Sequence, residues 1–142
     1  MTDNIELSGV DLFIESLIEF TQDDKLQWSY KAPKEASYIK NAENAVFFVE
    51  YESKTLALAK TRNKGRRLRD SSVFSIISPQ YETYEFITVE LMVVDEEKSL
   101  VLWESGDSDL VEALYKAVSF KVAGLESLIE SVRKQQAESS VS

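Results

Sequence analysis

The chain has 142 residues, of which 44% are hydrophobic, and a formal net charge of -9, so its composition is that of one acidic globular domain and not of a disordered segment. It contains neither cysteine nor histidine, which excludes disulfides, the usual zinc and haem ligands and the usual activator of a catalytic serine. Only oxygen-ligand sites for Mg²⁺ or Ca²⁺ remain open, and no acidic cluster has the spacing of a Ca²⁺ loop. We expect no metal, no cofactor and no catalytic residues.

The apolar runs of the sequence are far shorter than the roughly 20 residues that a membrane span needs. The first residues are acidic and lack the basic and apolar regions of a secretion signal. The sequence thus predicts a cytoplasmic protein with no membrane association.

The first predicted element is an amphipathic helix. Ser8 and Asp11 fit the pattern of a helix N-terminus, and apolar residues recur at helical spacing from Val10 to Thr21. The helix is expected to end near Asp23.

Alternating apolar and polar residues then predict a run of strands. The connections between most of these strands are short, which favours antiparallel neighbours. The predicted strands cover residues 26–30, 46–51, 55–60, 81–94 and 99–104, and residues 73–77 form an edge strand or a flap that ends before Pro79.

The last part of the chain is predicted to be helical. Ser108 is a candidate N-cap, and apolar residues recur every three or four positions from Leu110 to Val132. Gly124 predicts a break in this helix, and residues 137–142 are predicted to be a disordered tail.

Together these elements predict an α+β fold. It has an N-terminal helix, an antiparallel β-meander of about five to six strands, and a C-terminal helix or kinked helix pair packed on one sheet face. Residues 1–136 form a single domain in this interpretation.

Both ends of the chain resemble small, uncharacterised bacterial proteins that have an α-β-meander-α layout. The N-terminal likeness is an amphipathic helix, a turn and a Trp-led strand, and the C-terminal likeness is a closing helix. The resemblance implies this fold but no activity. The matching residues are Leu17, Thr21, Lys25, Leu26 and Trp28, then Leu110, Leu114, Tyr115, Ala117, Gly124, Leu125 and Ile129.

One ten-residue window reverses the charge of the chain. It holds six of the 16 basic residues and no acidic one before Asp70. Because the whole chain carries -9 and this window +6, the other 132 residues carry -15. We interpret residues 60–72 as a basic mobile loop within the domain. The candidate electrostatic contact consists of Lys60, Arg62, Lys64, Arg66, Arg67 and Arg69.

Three interpretations of this segment stay open. It is a solvated loop, a contact for an acidic protein surface such as a second copy of the chain, or a contact for nucleic acid or another phosphorylated ligand. The acidic remainder of the chain and the absence of an aromatic residue within the window disfavour nucleic acid.

A second candidate site is apolar. If the helices cover only one face of the sheet, the other face needs a partner. The candidate apolar interface consists of Phe48, Ile87, Val89, Leu91 and Val93.

The sequence thus favours a non-enzymatic protein-interaction domain that binds another protein or itself as a homodimer. The alternative is a nucleic-acid-associated regulator that binds through residues 60–69, or an acidic protein that mimics nucleic acid and occupies a basic partner.

Overall fold

The computed structural model describes residues 2–68 and 80–141, and it confirms the α+β class. An N-terminal helix precedes a five-stranded antiparallel sheet, and two helices follow it. The elements are α1 (Thr2–Gln22), β1 (Ser29–Lys31), a short 3-10 helix (Pro33–Ala36), β2 (Ala42–Tyr51), β3 (Lys54–Leu68), β4 (Tyr81–Asp95), β5 (Leu100–Glu104), α2 (Asp109–Val122) and α3 (Leu125–Val141).

The sheet is a meander in which the strands lie in chain order, each antiparallel to the next. Glu52 and Ser53 join β2 to β3, and their φ angles of 50° and 65° are those of a tight turn that follows the twist of the strands. β3 and β4 are the longest strands, and they pair from Thr55 opposite Val94 to Leu68 opposite Tyr81. The predicted strand at residues 73–77 lies outside the described residues.

Helices α1 and α2 cover one face of the sheet. Their apolar sides bury Leu17 and Leu114 against Leu58 and Leu91, and all four side chains are fully buried. The helical spacing of apolar residues in both helices therefore marks the side that packs on the sheet.

The opposite face is covered by the segment between β1 and β2. Ala36 and Ile39 of this segment pack on Phe48 and Met92 of the sheet. The prediction that this face needs an external partner is therefore wrong where this segment lies, because the chain supplies its own cover.

The candidate apolar interface is also wrong as a single surface. Phe48 is buried beneath the covering segment, whereas Val89 and Leu91 are buried on the helix side and Val93 packs partly against the same helix-side core. Only Ile87 is exposed, at 51%. Ile87, Val89, Leu91 and Val93 are spaced by two along β4 and share the helix-side face, where the helices bury Val89 and Leu91. Phe48 points to the opposite face, so these five side chains cannot share one interface.

The helix boundaries partly follow the prediction. α1 begins at Thr2 and not at Ser8. The Ser108 N-cap is confirmed, since its Oγ accepts a hydrogen bond from Val111 N at 3.2 Å. The predicted break is confirmed at Gly124, whose φ is +69°.

The predicted disordered tail is wrong as far as Val141, because α3 continues through it. Every side chain of α3 that the structure describes is exposed, from Leu125 to Ser139. Within the described residues, no helix is both long and apolar enough to cross a membrane.

Candidate functional site

The basic segment is part of a projecting two-stranded ribbon. β2 pairs with β3 only as far as Thr61, and β5 pairs with β4 only over Met92–Asp95. Beyond Thr61, residues 62–68 of β3 pair with residues 81–87 of β4. We call these two stretches the arm.

The prediction of a mobile loop is therefore wrong for residues 60–68, which belong to β3. The loop was the expected structure because many charged residues lie close together in this window. A strand that is exposed on both faces can carry them equally well, because neither of its faces enters a core. Arg69 and residues 70–72 lie outside the described residues.

Strand periodicity sorts the basic residues onto two faces of the ribbon. Lys60, Arg62, Lys64 and Arg66 follow each other at every second position, so they share the face on which the helices pack. Successive members of this row are about 7 Å apart along the strand. Arg67 lies on the opposite face.

Arg62 fixes the root of the arm. Its guanidinium forms ion pairs with Glu43 of β2 and with Glu85 of β4, the latter at 2.6 Å between Nη1 and Oε2. Hydrogen bonds to Glu43 and Glu85 and their negative charges raise its pKa above the ordinary value. Its backbone N also donates to Asn41 O at 2.8 Å. Arg62 is thus engaged in holding the ribbon to the sheet.

The other face of the root is held by a small polar network. The hydroxyls of Thr61 and Thr88 are 3.0 Å apart, and Asn63 Nδ2 donates to Thr88 Oγ1 at 2.9 Å. These contacts join the two strands where they leave the covered sheet.

The aromatic residues of β4 meet the basic residues of β3. Arg66 Cζ lies 5.2 Å from the centroid of the Tyr81 ring, and Arg67 Cζ lies 5.2 Å from that of Tyr84. Arg67 Nε also donates to Glu82 Oε1 at 2.7 Å. The sequence window contains no aromatic residue, but the pairing of the strands supplies them.

Gly65 allows Tyr84 to lie across the ribbon. A Cβ at position 65 would be 2.6 Å from Tyr84 Cζ, so only glycine leaves room for the ring in this position. Phe86 continues the aromatic surface, with its ring centroid 5.7 Å from that of Tyr84.

The remaining cations of the row differ in their surroundings. Lys60 Nζ lies 4.9 Å from the centroid of the Tyr115 ring on α2. Lys64 has no ion pair or ring contact with any residue in the described ranges. Lys64 and Arg66 are therefore the described members of the row whose charge is not balanced by a carboxylate or held against the body.

A groove lies on the covered side of the sheet, between Ile39 and β5. It has a volume of about 540 Å³, and its lining includes Glu90, Met92 and Glu104. Partial burial raises the pKa of Glu90, and the nearby charges of Glu104 and Asp107 raise it further.

The arm thus carries cations and exposed aromatic rings on one projecting ribbon. Within the described ranges, no three acidic side chains are grouped to hold a metal ion. Comparisons with known proteins found no matching family, curated relative or solved structure.

Proposed function

We propose that this protein is a non-enzymatic interaction domain that binds a protein partner through the arm. The observation that supports this is the mixture of side chains that the arm presents to solvent. Lys64 and Arg66 share one face of the ribbon with the exposed residues Leu68, Tyr81 and Ile87. The other face carries Arg67 with the exposed residues Tyr84 and Phe86.

This composition is typical of the centre of a protein interface. Tyrosine and arginine contribute most strongly to such interfaces, and an aliphatic residue beside them gains from losing its contact with water. Leu68 and Ile87 share their face with the row of cations, which favours a partner that has an apolar pocket and an acidic rim.

The ribbon itself has little to stabilise it apart from its own pairing. A two-stranded ribbon is only marginally stable in water. The contacts of Arg62, Thr61 and Asn63 hold its root, but the exposed side chains beyond them have no covering element in the described part of the chain. Contact with a partner would supply that cover.

The test compares proteins retained from an extract of the source organism by three tagged baits. The arm bait carries Lys64→Glu with Arg66→Glu. The control bait carries Lys34→Glu with Lys116→Glu, which makes the same charge change at exposed positions of the body. We expect one partner that the wild type and the control retain and that the arm bait loses by at least about tenfold. Equal retention by the arm bait would refute the proposal.

A second candidate function is binding to nucleic acid. The observation that favours it is the row of cations at regular spacing with aromatic rings on the neighbouring strand, since phosphates pair with such cations and bases stack on such rings. In this case the three cations to change are Lys64, Arg66 and Arg67, whereas Arg62 is left in place because it holds the root.

Fluorescence anisotropy with a labelled oligothymidylate at low salt tests this candidate. Binding through the arm should weaken as salt rises and should weaken in the triple alanine variant. Binding that is the same in this variant, or no binding at all, would contradict it. Recovery of a basic nucleic-acid-binding protein that the arm variant also retains would instead support the acidic mimic.

A further inference from the structure

Helix α3 is a second surface that stands away from the body. Its residues from Leu125 to Ser139 are all exposed. It begins after Gly124, whose positive φ turns the chain out of α2, and Lys121 forms an ion pair with Glu126 at 3.2 Å near this turn. Most of the stability of a helix in a protein comes from the packing of its apolar side, and the side chains that the structure describes in this 17-residue helix are exposed.

One side of α3 is apolar. Leu125, Leu128, Ile129 and Val132 recur at spacings of three, one and three, and between 39% and 58% of each is exposed. Such a stripe is what a helix buries against a neighbour. It is independent of the arm, which belongs to β3 and β4.

The charges beside the stripe indicate which neighbour it fits. Glu126 and Arg133 are seven residues apart, so they lie on the same flank of the helix to within about 20°. They also lie on either side of Ile129, close to the two ends of the stripe. The helix therefore carries both members of an ion pair on one edge of its apolar side.

In a two-fold antiparallel pair of identical helices, each contact occurs twice, and residues on the same flank face each other. Glu126 of each copy then faces Arg133 of the other, while the two stripes meet between them. A parallel pair would place each flank against the opposite one and would form neither ion pair. Antiparallel helices also place opposite ends of the helix dipoles together.

We propose that α3 packs against α3 of a second copy of this chain in an antiparallel pair. The apolar stripes form its centre, and two Glu126–Arg133 ion pairs fix its direction. This interface is separate from the arm, so self-association and partner binding are carried by different surfaces.

The first test measures mass by light scattering and sedimentation across a dilution series of the full chain. The wild type should rise from the 16.2 kDa of one chain towards about twice that mass as its concentration rises. Leu128→Glu should remain a monomer throughout. Ser127→Glu adds the same charge on the opposite side of the helix and should behave as the wild type. A wild type that stays monomeric at all concentrations, or a dimer that Leu128→Glu leaves intact, would overturn the proposal.

The second test reverses the two flanking charges. Glu126→Arg alone and Arg133→Glu alone should each raise the dimer dissociation constant by about tenfold, because each places like charges together. The double variant should recover most of the wild-type affinity. The ion pair of Glu126 with Lys121 within the chain would not be restored by the second change, so recovery reports on the contact between copies. Failure of the double variant to recover would exclude the antiparallel arrangement.

Circular dichroism of each variant shows whether α3 is still formed. A variant that keeps the helical signal of the wild type but is monomeric has lost the contact and not the fold. If Leu128→Glu loses helix, Val132→Gln provides a milder change of the same stripe and should still weaken the dimer.

Discussion

The surroundings of two single residues, Glu90 and Gly65, determine a pKa in the first case and the shape of an exposed surface in the second. Glu90 lies in a groove beside Glu104 and near Asp107, so its charged form is disfavoured by burial and by like charges. Gly65 lies beneath the ring of Tyr84, so its lack of a side chain shapes the aromatic surface of the arm.

The raised pKa of Glu90 predicts a pH dependence of stability. The unfolded chain ionises this group near its ordinary pKa of 4.5, whereas the folded protein keeps the proton to higher pH. The folded state thus binds more protons in the window just above pH 4.5, and the free energy of unfolding falls as the pH rises through that window.

Glu90→Gln removes this effect. We expect it to raise the free energy of unfolding at pH 7 and to change it less at pH 4. Urea denaturation at the two pH values measures this difference. Glu97→Gln, which removes the same charge from an exposed turn, is the matched control for the loss of one carboxylate.

Gly65→Ala should change the arm more than the body. The new methyl group displaces the ring of Tyr84 and separates it from Arg67, while neither residue belongs to a buried core. The aromatic NMR signals of Tyr84 should therefore shift, and the urea midpoint of the body should stay nearly constant. Unchanged Tyr84 signals would show that the ring does not lie over Gly65.

At the scale of elements, the ends of the helices and strands follow from specific local contacts. The hydroxyl of Ser108 satisfies an amide at the start of α2 that has no partner within the helix. The two-residue turn at Glu52 and Ser53 brings β2 and β3 together without a glycine.

Ser108→Ala should therefore destabilise the protein by about 1 kcal/mol, because it removes the N-cap of α2. Ser119→Ala is a matched change in the same helix, where the hydroxyl donates only to Lys116 O within the helix. Thermal or urea denaturation of both variants should show a loss for the first and little change for the second.

The elements that the sequence predicts well are those in which the pattern of burial is simple. The strand at residues 46–51 alternates towards two cores, and α2 has one apolar side, so both follow from periodicity. Periodicity does not predict the distal half of β3, because its residues are exposed on both faces and carry charge in place of an apolar pattern. The lengths of the predicted strands do indicate it. The predicted strand at residues 81–94 is more than twice as long as the one at residues 55–60, so its first half needs a further stretch of strand to pair with.

The cover over the second sheet face could not be predicted in the same way. Ala36 and Ile39 are three residues apart in a segment with no strand or long helix pattern, and their burial depends on Phe48 and Met92, which lie far along the chain. Such contacts follow from the tertiary arrangement and not from local periodicity. For the same reason the candidate apolar interface combined residues that the folded chain buries in two different places.

At the scale of the whole molecule, two cores share the same strands. Leu58 and Leu91 point to the helices, whereas their neighbours Ala59 and Met92 point to the covering segment. Damage to either core therefore acts on the same pair of strands, and we expect both cores to unfold together.

Leu58→Ala and Met92→Ala test this cooperation. Each is expected to lower the free energy of unfolding by about 2–5 kcal/mol, because both side chains are almost fully buried. Tryptophan fluorescence and circular dichroism should report the same urea midpoint in each variant. Separate midpoints for the two signals would show that the protein does not unfold as one unit.

The root contacts of Arg62 set a boundary within this cooperative unit. On the body side of Arg62 the amides of β3 lie in a sheet with buried side chains, whereas on the arm side they are held by a single neighbouring strand. Amide hydrogen exchange should therefore divide β3 into a slow and a fast half at this residue, although the strand is continuous. We therefore expect the arm to open and close while the two cores remain intact, so that one strand belongs to a rigid sheet at one end and to an adaptable ribbon at the other.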